Sequence, residues 1–247
     1  MGSIKNILQW MLAIGLCLGG AQAEPIRVML LSGQNNHDWK KTSPLLKNIF
    51  EKAGNVELSV TERPDLLVAE DFQNIDVIVS NWNTVPKNSK VKEWPAPLKK
   101  AYVEFVKNGG GHLCVHAGSS SFYDWKEYHE ISLMTWKHKR TTHGRQHVFP
   151  IRVDDEAHPV CKGWNPGQIR GELWRNIEVH PKAKVLASSF SAEHDGGSET
   201  WEPCVFVGQF GKGRCFATSL GHDVRSLSQP KVEEIFIRAL QWVSHKR

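Results

Sequence analysis

Four histidines and one carboxylate stand where apolar packing does not explain them. They are His37 in "SGQNNHDW", His116 in "VHAG", His143 in "THGRQH", His222 in "SLGHDV" and Glu172 in "GELW". Imidazole titrates near neutral pH, and a neighbouring carboxylate raises its pKa and fixes its tautomer. Such a group has two chemical uses. It can supply general acids and bases, with Asp38 or Asp223 orienting an imidazole, and such proton transfer contributes on the order of 10²–10⁴-fold. Alternatively, three of these side chains, His116, His143 and His222, can bind a divalent metal such as zinc, with one position left open. No HxH or HExxH spacing selects the metal over the acid–base reading.

The elements that must carry these residues can be read from periodicity. "IRVMLLSG" is a short apolar run that predicts a buried first strand. "TSPLLKNIFEKAG" predicts a helix capped by Ser43, with Pro44 in its first turn, Leu45, Ile49 and Ala53 on one face, and Gly54 as its stop. "VELSV" and "IDVIVS" predict the second and third strands. "PLKKAYVEFVKNGG" follows as an amphipathic helix with Leu98, Ala101, Tyr102 and Phe105 on one face, and "GHLCVH" as the fourth strand. Short apolar strands alternating with helices imply α/β architecture with a doubly wound, mostly parallel sheet flanked by helices. In such sheets ligands bind beyond the carboxyl ends of the strands. His37, His116 and His222 follow the first, fourth and final strands, so they share that edge. "HVFPIRV", "AKVLASSF", "PCVFVGQF" and "RCFATSL" add strands, and "VEEIFIRALQWV" closes the chain with an apolar helical stripe. Residues from about 120 to 175 read as an irregular insertion into a single domain. The other histidines read as surface or structural groups; these are His112, His129, His138, His158, His180, His194 and His245.

The bulk properties narrow the class. Residues 1–23 carry Lys5, an apolar stretch around Met11 to Leu18 and the small-x-small end Ala21-Gln22-Ala23. That layout predicts a secretory signal peptide, too short in its apolar part to serve as a membrane anchor. Cleavage leaves residues 24–247 as one exported domain without a membrane association, periplasmic or secreted. The leader holds one of the 31 Lys+Arg and none of the 26 Asp+Glu, so the formal charge falls from +5 to about +4. Without a longer basic block, nucleic-acid binding is not indicated. Cys114, Cys161, Cys204 and Cys215 read as buried free thiols. A turn centred near Lys212 sets Cys215 opposite about Gln209, not Cys204, and Cys114 falls mid-strand.

These stretches together resemble the trehalose-utilisation (ThuA-like) family, related in fold to class I glutamine amidotransferases. The matching pieces are "SGQNNHDW", "FVKNGGGHLCVHAG", "HGRQHVF", "HPVCKGW", "GELW", "VLASSF", "EPCVFVGQFGKGR" and "TSLGHD". The resemblance implies a flavodoxin-like, glutamine amidotransferase-like fold and a role in sugar or glycoside metabolism, including oxidised (keto) sugars. In the related amidotransferases the turn after this strand has the form Gly-x-Cys-x-Gly. Here His116 is similar to the nucleophile position, so glutamine hydrolysis through a thiolate is not expected. The family's usual acid before Glu172 is Gly171 here, which leaves Glu172 as the only carboxylate of that motif.

The leading expectation is an exported hydrolase or lyase acting on a glycoside or keto-sugar. His116, His222, Glu172 and His37 form its catalytic group, and Asp38, His143, His147, Trp174 and Asp223 contact the substrate. Trp39, Trp82, Trp125, Trp174 and Trp201 lie in or near predicted loops, where an indole face can pack on the C–H patches of a sugar ring. Two alternatives stay open: a carbohydrate-binding module without chemistry, and a structural or partner-binding domain on the same scaffold.

Overall fold

The computed structural model describes residues 24–85 and 90–245, so the predicted leader, residues 1–23, lies outside the described residues. In chain order the main strands are β1 (Ile26–Leu31), β2 (Val56–Thr61), β3 (Val77–Ser80), β4 (Gly111–Val115), β5 (His147–Val153), β6 (Gln168–Gly171), β7 (Lys184–Ser191), β8 (Thr200–Phe210) and β9 (Gly213–Thr218). They form one sheet in the order β2-β1-β3-β4-β9-β8-β7-β5-β6. Pairings from β2 through to β9 are parallel, and the four beyond β9 are antiparallel. Every strand but β8 and β5 therefore runs in one direction, and the sheet is mostly parallel. The switch point lies between β1 and β3, where the chain first moves outward to β2 and then crosses back.

Alternation along the strands divides the core between the two faces. Val28, Leu30, Leu113, Val115 and Phe216 face one way, under helices α1 (Trp39–Glu51), α4 (Val224–Leu227) and α5 (Pro230–Val243). Met29, Leu31, Cys114, Cys215 and Ala217 face α2 (Ala96–Lys107) and α3 (Lys126–Ser132). The expected stripe of α5 is buried in full: Val232, Ile235, Phe236, Ala239, Leu240 and Val243. Burying side chains the size of Ile235, Phe236 and Leu240 stabilises by roughly 1.5–3 kcal/mol each. The four cysteines among the described residues, Cys114, Cys161, Cys204 and Cys215, are free and buried. Cys215 sits opposite Gly208, one residue from the expected register. None of the helices among the described residues is long and apolar enough to cross a membrane.

One helix start differs from expectation. α1 begins at Trp39 after Asp38, a full turn before Ser43, and Pro44 lies inside it. The cause is tertiary. The earlier turn buries Thr42 and Ser43, whose hydroxyls accept hydrogen bonds from Asn81 Nδ2 at 3.1 and 3.0 Å. Ser43 also meets the Ser32 hydroxyl at 2.7 Å. Those contacts offset the ladder bond that Pro44 cannot donate.

His112, on β4, is fully buried with Nε2 2.7 Å from the Tyr102 hydroxyl. Burial pushes its pKa down from 6.5 to about 3. Between those values the unfolded chain binds a proton that the folded chain does not, so stability rises with pH across that window. At pH 5 the deficit is about 2 kcal/mol for this one residue. Thermal melts are expected to show a Tm several degrees lower at pH 5 than at pH 7.5. His112→Phe should flatten that dependence while lowering Tm at pH 7.5, since Tyr102 loses its partner. An unchanged slope in the variant would remove His112 as its source.

Candidate metal and acid–base site

The expected histidines meet at the carboxyl edge of the parallel strands. His37 sits in the loop after β1, and Asn35 Oδ1 accepts hydrogen bonds from both its backbone N–H (2.9 Å) and its Nδ1 (3.0 Å). His116 follows β4 directly at φ 44°, a left-handed elbow that turns the chain out of the sheet. Its Nδ1 lies 2.5 Å from the carbonyl oxygen of Ser219. A carbonyl only accepts, so Nδ1 carries the proton. Gly118 lets the elbow close, since a Cβ there would fall 2.5 Å from the Ser80 carbonyl oxygen. His222 follows β9, after Gly221 at φ 97°. Its Nδ1 is 2.9 Å from Gln146 Nε2 and 3.6 Å from Asp223 Oδ2.

Glu172 arrives from the far edge of the sheet, just after β6. Its Oε2 accepts from Trp174 Nε1 at 2.9 Å and lies 3.4 Å from His116 Nε2. Its Oε1 is 3.3 Å from His222 Nε2 and 3.2 Å from His143 Nδ1. The three rings of His37, His116 and His222 have centroid separations of 4.6–5.2 Å. One ligand atom from each of His37, His116, Glu172 and His222 falls within 4.8 Å of the others.

Burial raises the Glu172 pKa, but contacts with His116, His222 and the Trp174 N–H outweigh it and hold the group at about 2. Glu172 is therefore ionised throughout the neutral range. Burial, then the neighbouring His116 and His222, pushes His37 down to about 3, so its imidazole is neutral there. His222 is also lowered, first by burial and then by His116.

The polarity of this arrangement is informative. Nδ1 of His37 donates to Asn35, which leaves its Nε2 with the lone pair. Nδ1 of His116 donates to Ser219, its Nε2 faces the ionised Glu172 at 3.4 Å, and Gln146 Nε2 donates to His222 Nδ1. His116 Nε2 is buried and lacks a hydrogen-bond partner. A ring nitrogen and a carboxylate oxygen at this distance share either a proton or a cation. Imidazoles with their second nitrogen held by a neighbour, beside a carboxylate, are the donor set that zinc and similar divalent ions take. The residues present therefore fit a divalent metal.

The remaining candidates divide. His143 faces Glu172 but is half-exposed at the mouth, and its Nδ1 is also 2.8 Å from the Gly144 carbonyl. His37 takes its place among the four converging ligand atoms. His147 turns away, its Nε2 3.7 Å from Asp195. Asp38 pairs with Lys41 at 2.9 Å, and Asn35 Oδ1 is the group that meets His37 Nδ1. Asp223 caps α4 by accepting from the Ser226 N–H at 2.8 Å. Trp174 is buried with its ring 4.4 Å from that of His116, and it steadies Glu172. Trp82 and Trp125 are core residues. Trp136, absent from the sequence candidates, lies half-buried beside His143 and Trp174, with centroids at 5.6 and 5.0 Å. Gly171 is buried, and a Cβ there would meet Ser226 Oγ at 3.3 Å, so the position before Glu172 leaves little room for an acidic side chain. A cavity of about 1110 Å³ opens at the opposite, amino end of the sheet around Trp242 and Arg214, remote from these groups.

A flavodoxin-like sheet with a histidine at the elbow after its fourth strand defines a class: proteins of the glutamine amidotransferase-like fold that lack the nucleophilic thiol. Within it, the ThuA family model, described as trehalose utilisation, matches residues 27–243, and the chain belongs to that family. The assignment ties it to sugar metabolism. A ThuA-like protein of Parabacteroides merdae superposes with a TM-score of 0.78 at 26% identity, covering 90% of this chain and 91% of the other. A ThuA-like protein of Bacteroides uniformis follows with 0.69 at 18%, covering 93% and 95%. A cytoplasmic protein of Salmonella typhimurium shares the fold at 0.62 and 14%, covering 87% and 98%. The search of curated proteins gave no match.

Proposed function

We propose that this protein is an exported enzyme that cleaves or rearranges a glycoside or keto-sugar, with the His37, His116, His222 and Glu172 group holding a divalent metal. The observation that carries the reading is the convergence of one ligand atom from each of these four residues within 4.8 Å, with a buried His116 Nε2 set 3.4 Å from an ionised carboxylate. Family membership supports the sugar, and the pattern of residues 1–23 supports export. A bound divalent ion supplies Lewis acidity toward a sugar oxygen or an acidified water. Glu172 stays ionised and fixes His116 and His222. His143 shares its Nδ1 proton between Gly144 and Glu172, which leaves Nε2 as its basic nitrogen at the half-exposed mouth. That placement suits proton transfer to or from a sugar hydroxyl.

The test is elemental analysis of the purified protein, followed by assay of disaccharides and their 3-keto forms before and after chelation. The reading expects about one ion per chain, and turnover that chelation abolishes and metal restores. Sugar binding without product would instead make the protein a carbohydrate-binding module. Absence of both metal and sugar binding would reject both.

A further inference from the structure

We propose that Asn35 is the positioning residue that sets the tautomer of His37 and so makes His37 a ligand; the metal-binding part of this inference rests on the reading above. The orientation of Asn35 is fixed from both ends. Its Nδ2 donates to the Asn81 carbonyl at 3.2 Å. Its Oδ1 accepts the His37 backbone N–H at 2.9 Å and Asn83 Nδ2 at 2.9 Å. A flipped amide would face an amino group toward two donors and a carbonyl toward an acceptor, so the observed rotamer is the stable one. The same Oδ1 lies 3.0 Å from His37 Nδ1, and an acceptor there requires Nδ1 to carry the proton. The basic nitrogen is then Nε2, the ring atom left free to ligate beside His116, His222 and Glu172. Asn35 is buried, which strengthens the bond and excludes water as a substitute.

The arrangement spans the switch point of the sheet. Asn83 follows β3 and reaches back to Asn35 and to Asn36 Oδ1 at 2.6 Å, while Gln34 Nε2 donates to the Asn83 carbonyl at 2.8 Å. The loops after β1 and β3 are thereby held together, and His37 is set by both. Outer partners of ligating histidines of this kind are worth 10- to 100-fold in metal affinity.

The first test uses the unaltered protein. Nitrogen and carbon NMR of labelled, chelator-treated protein at pH 8 is expected to show His37 as the Nδ1–H tautomer; an Nε2–H tautomer would overturn the proposal whether or not a metal binds. The second compares Asn35→Leu with Asn35→Asp, which keeps an acceptor. The Leu variant should lose the Nδ1–H signature and bind zinc 10- to 100-fold more weakly in a chelator competition, with the Asp variant largely rescued. Equal zinc affinity in the Leu variant and the unaltered protein would remove Asn35 from the role. If the unaltered protein binds no zinc, the metal reading fails, and the tautomer measurement still decides whether Asn35 sets the ring.

Discussion

His116→Ala is expected to lower turnover of a susceptible glycoside or keto-sugar by 10²-fold or more, with the fold retained. The magnitude follows from losing a residue that both borders Glu172 and supplies a ligand atom, since proton-transfer and metal-ligand roles each lie in this range. Fold retention follows from the local geometry. The lost side-chain bond to Ser219 is worth about 1 kcal/mol, and the Nε2 it removes is a buried atom without a partner. His222→Ala should behave alike, because its Nε2 lies 3.3 Å from the other carboxylate oxygen. The measurements are steady-state kinetics beside thermal melts and metal content. Full activity in both variants would end the case for this cluster as the reacting centre.

The second large effect is on folding. Gly118→Ala is expected to destabilise the protein by roughly 3 kcal/mol or more, because a Cβ would sit 2.5 Å from the Ser80 carbonyl oxygen and 3.1 Å from Cys114 Sγ. Both obstacles belong to buried strands, β3 and β4, that cannot move aside without breaking the sheet. By contrast, Gly171→Ala meets only the hydroxyl of Ser226 at 3.3 Å and an edge of Phe149 at 3.6 Å, and should cost much less. Denaturant melts of the two variants check the difference. A Gly118→Ala protein as stable as its parent would show that the elbow after β4 can open.

Much of this was legible from sequence because it depends on direction and period. Parallel strands deliver their trailing loops to one edge, so placing His37, His116 and His222 after strands was enough to bring them together. The apolar spacing of α5 likewise dictated its buried face. The features that escaped are set by contacts between distant segments. α1 starts early because Ser43 and Thr42 meet Asn81, which lies 38 and 39 residues away. Glu172 was named from its motif, but the antiparallel edge by which it reaches the site is oriented by no local pattern. Trp136 stands at the mouth only because the pair Met134–Thr135 and Glu178–Val179 folds the insertion back. Asn35 did leave a trace: an asparagine two residues before His37 is a common Asx-turn signal, in which the side chain bonds backbone two positions on.

The converging groups come from positions 37, 116, 172 and 222, so they belong to segments at least 50 residues apart in the chain. An ion seated among them would act as a cross-brace, tying both halves of the sheet to one point. Ligand held only by the native state adds RT ln(1 + [L]/Kd), about 2.7 kcal/mol at a hundredfold excess over Kd. A melting curve run against zinc concentration would therefore report occupancy before any sugar has been found.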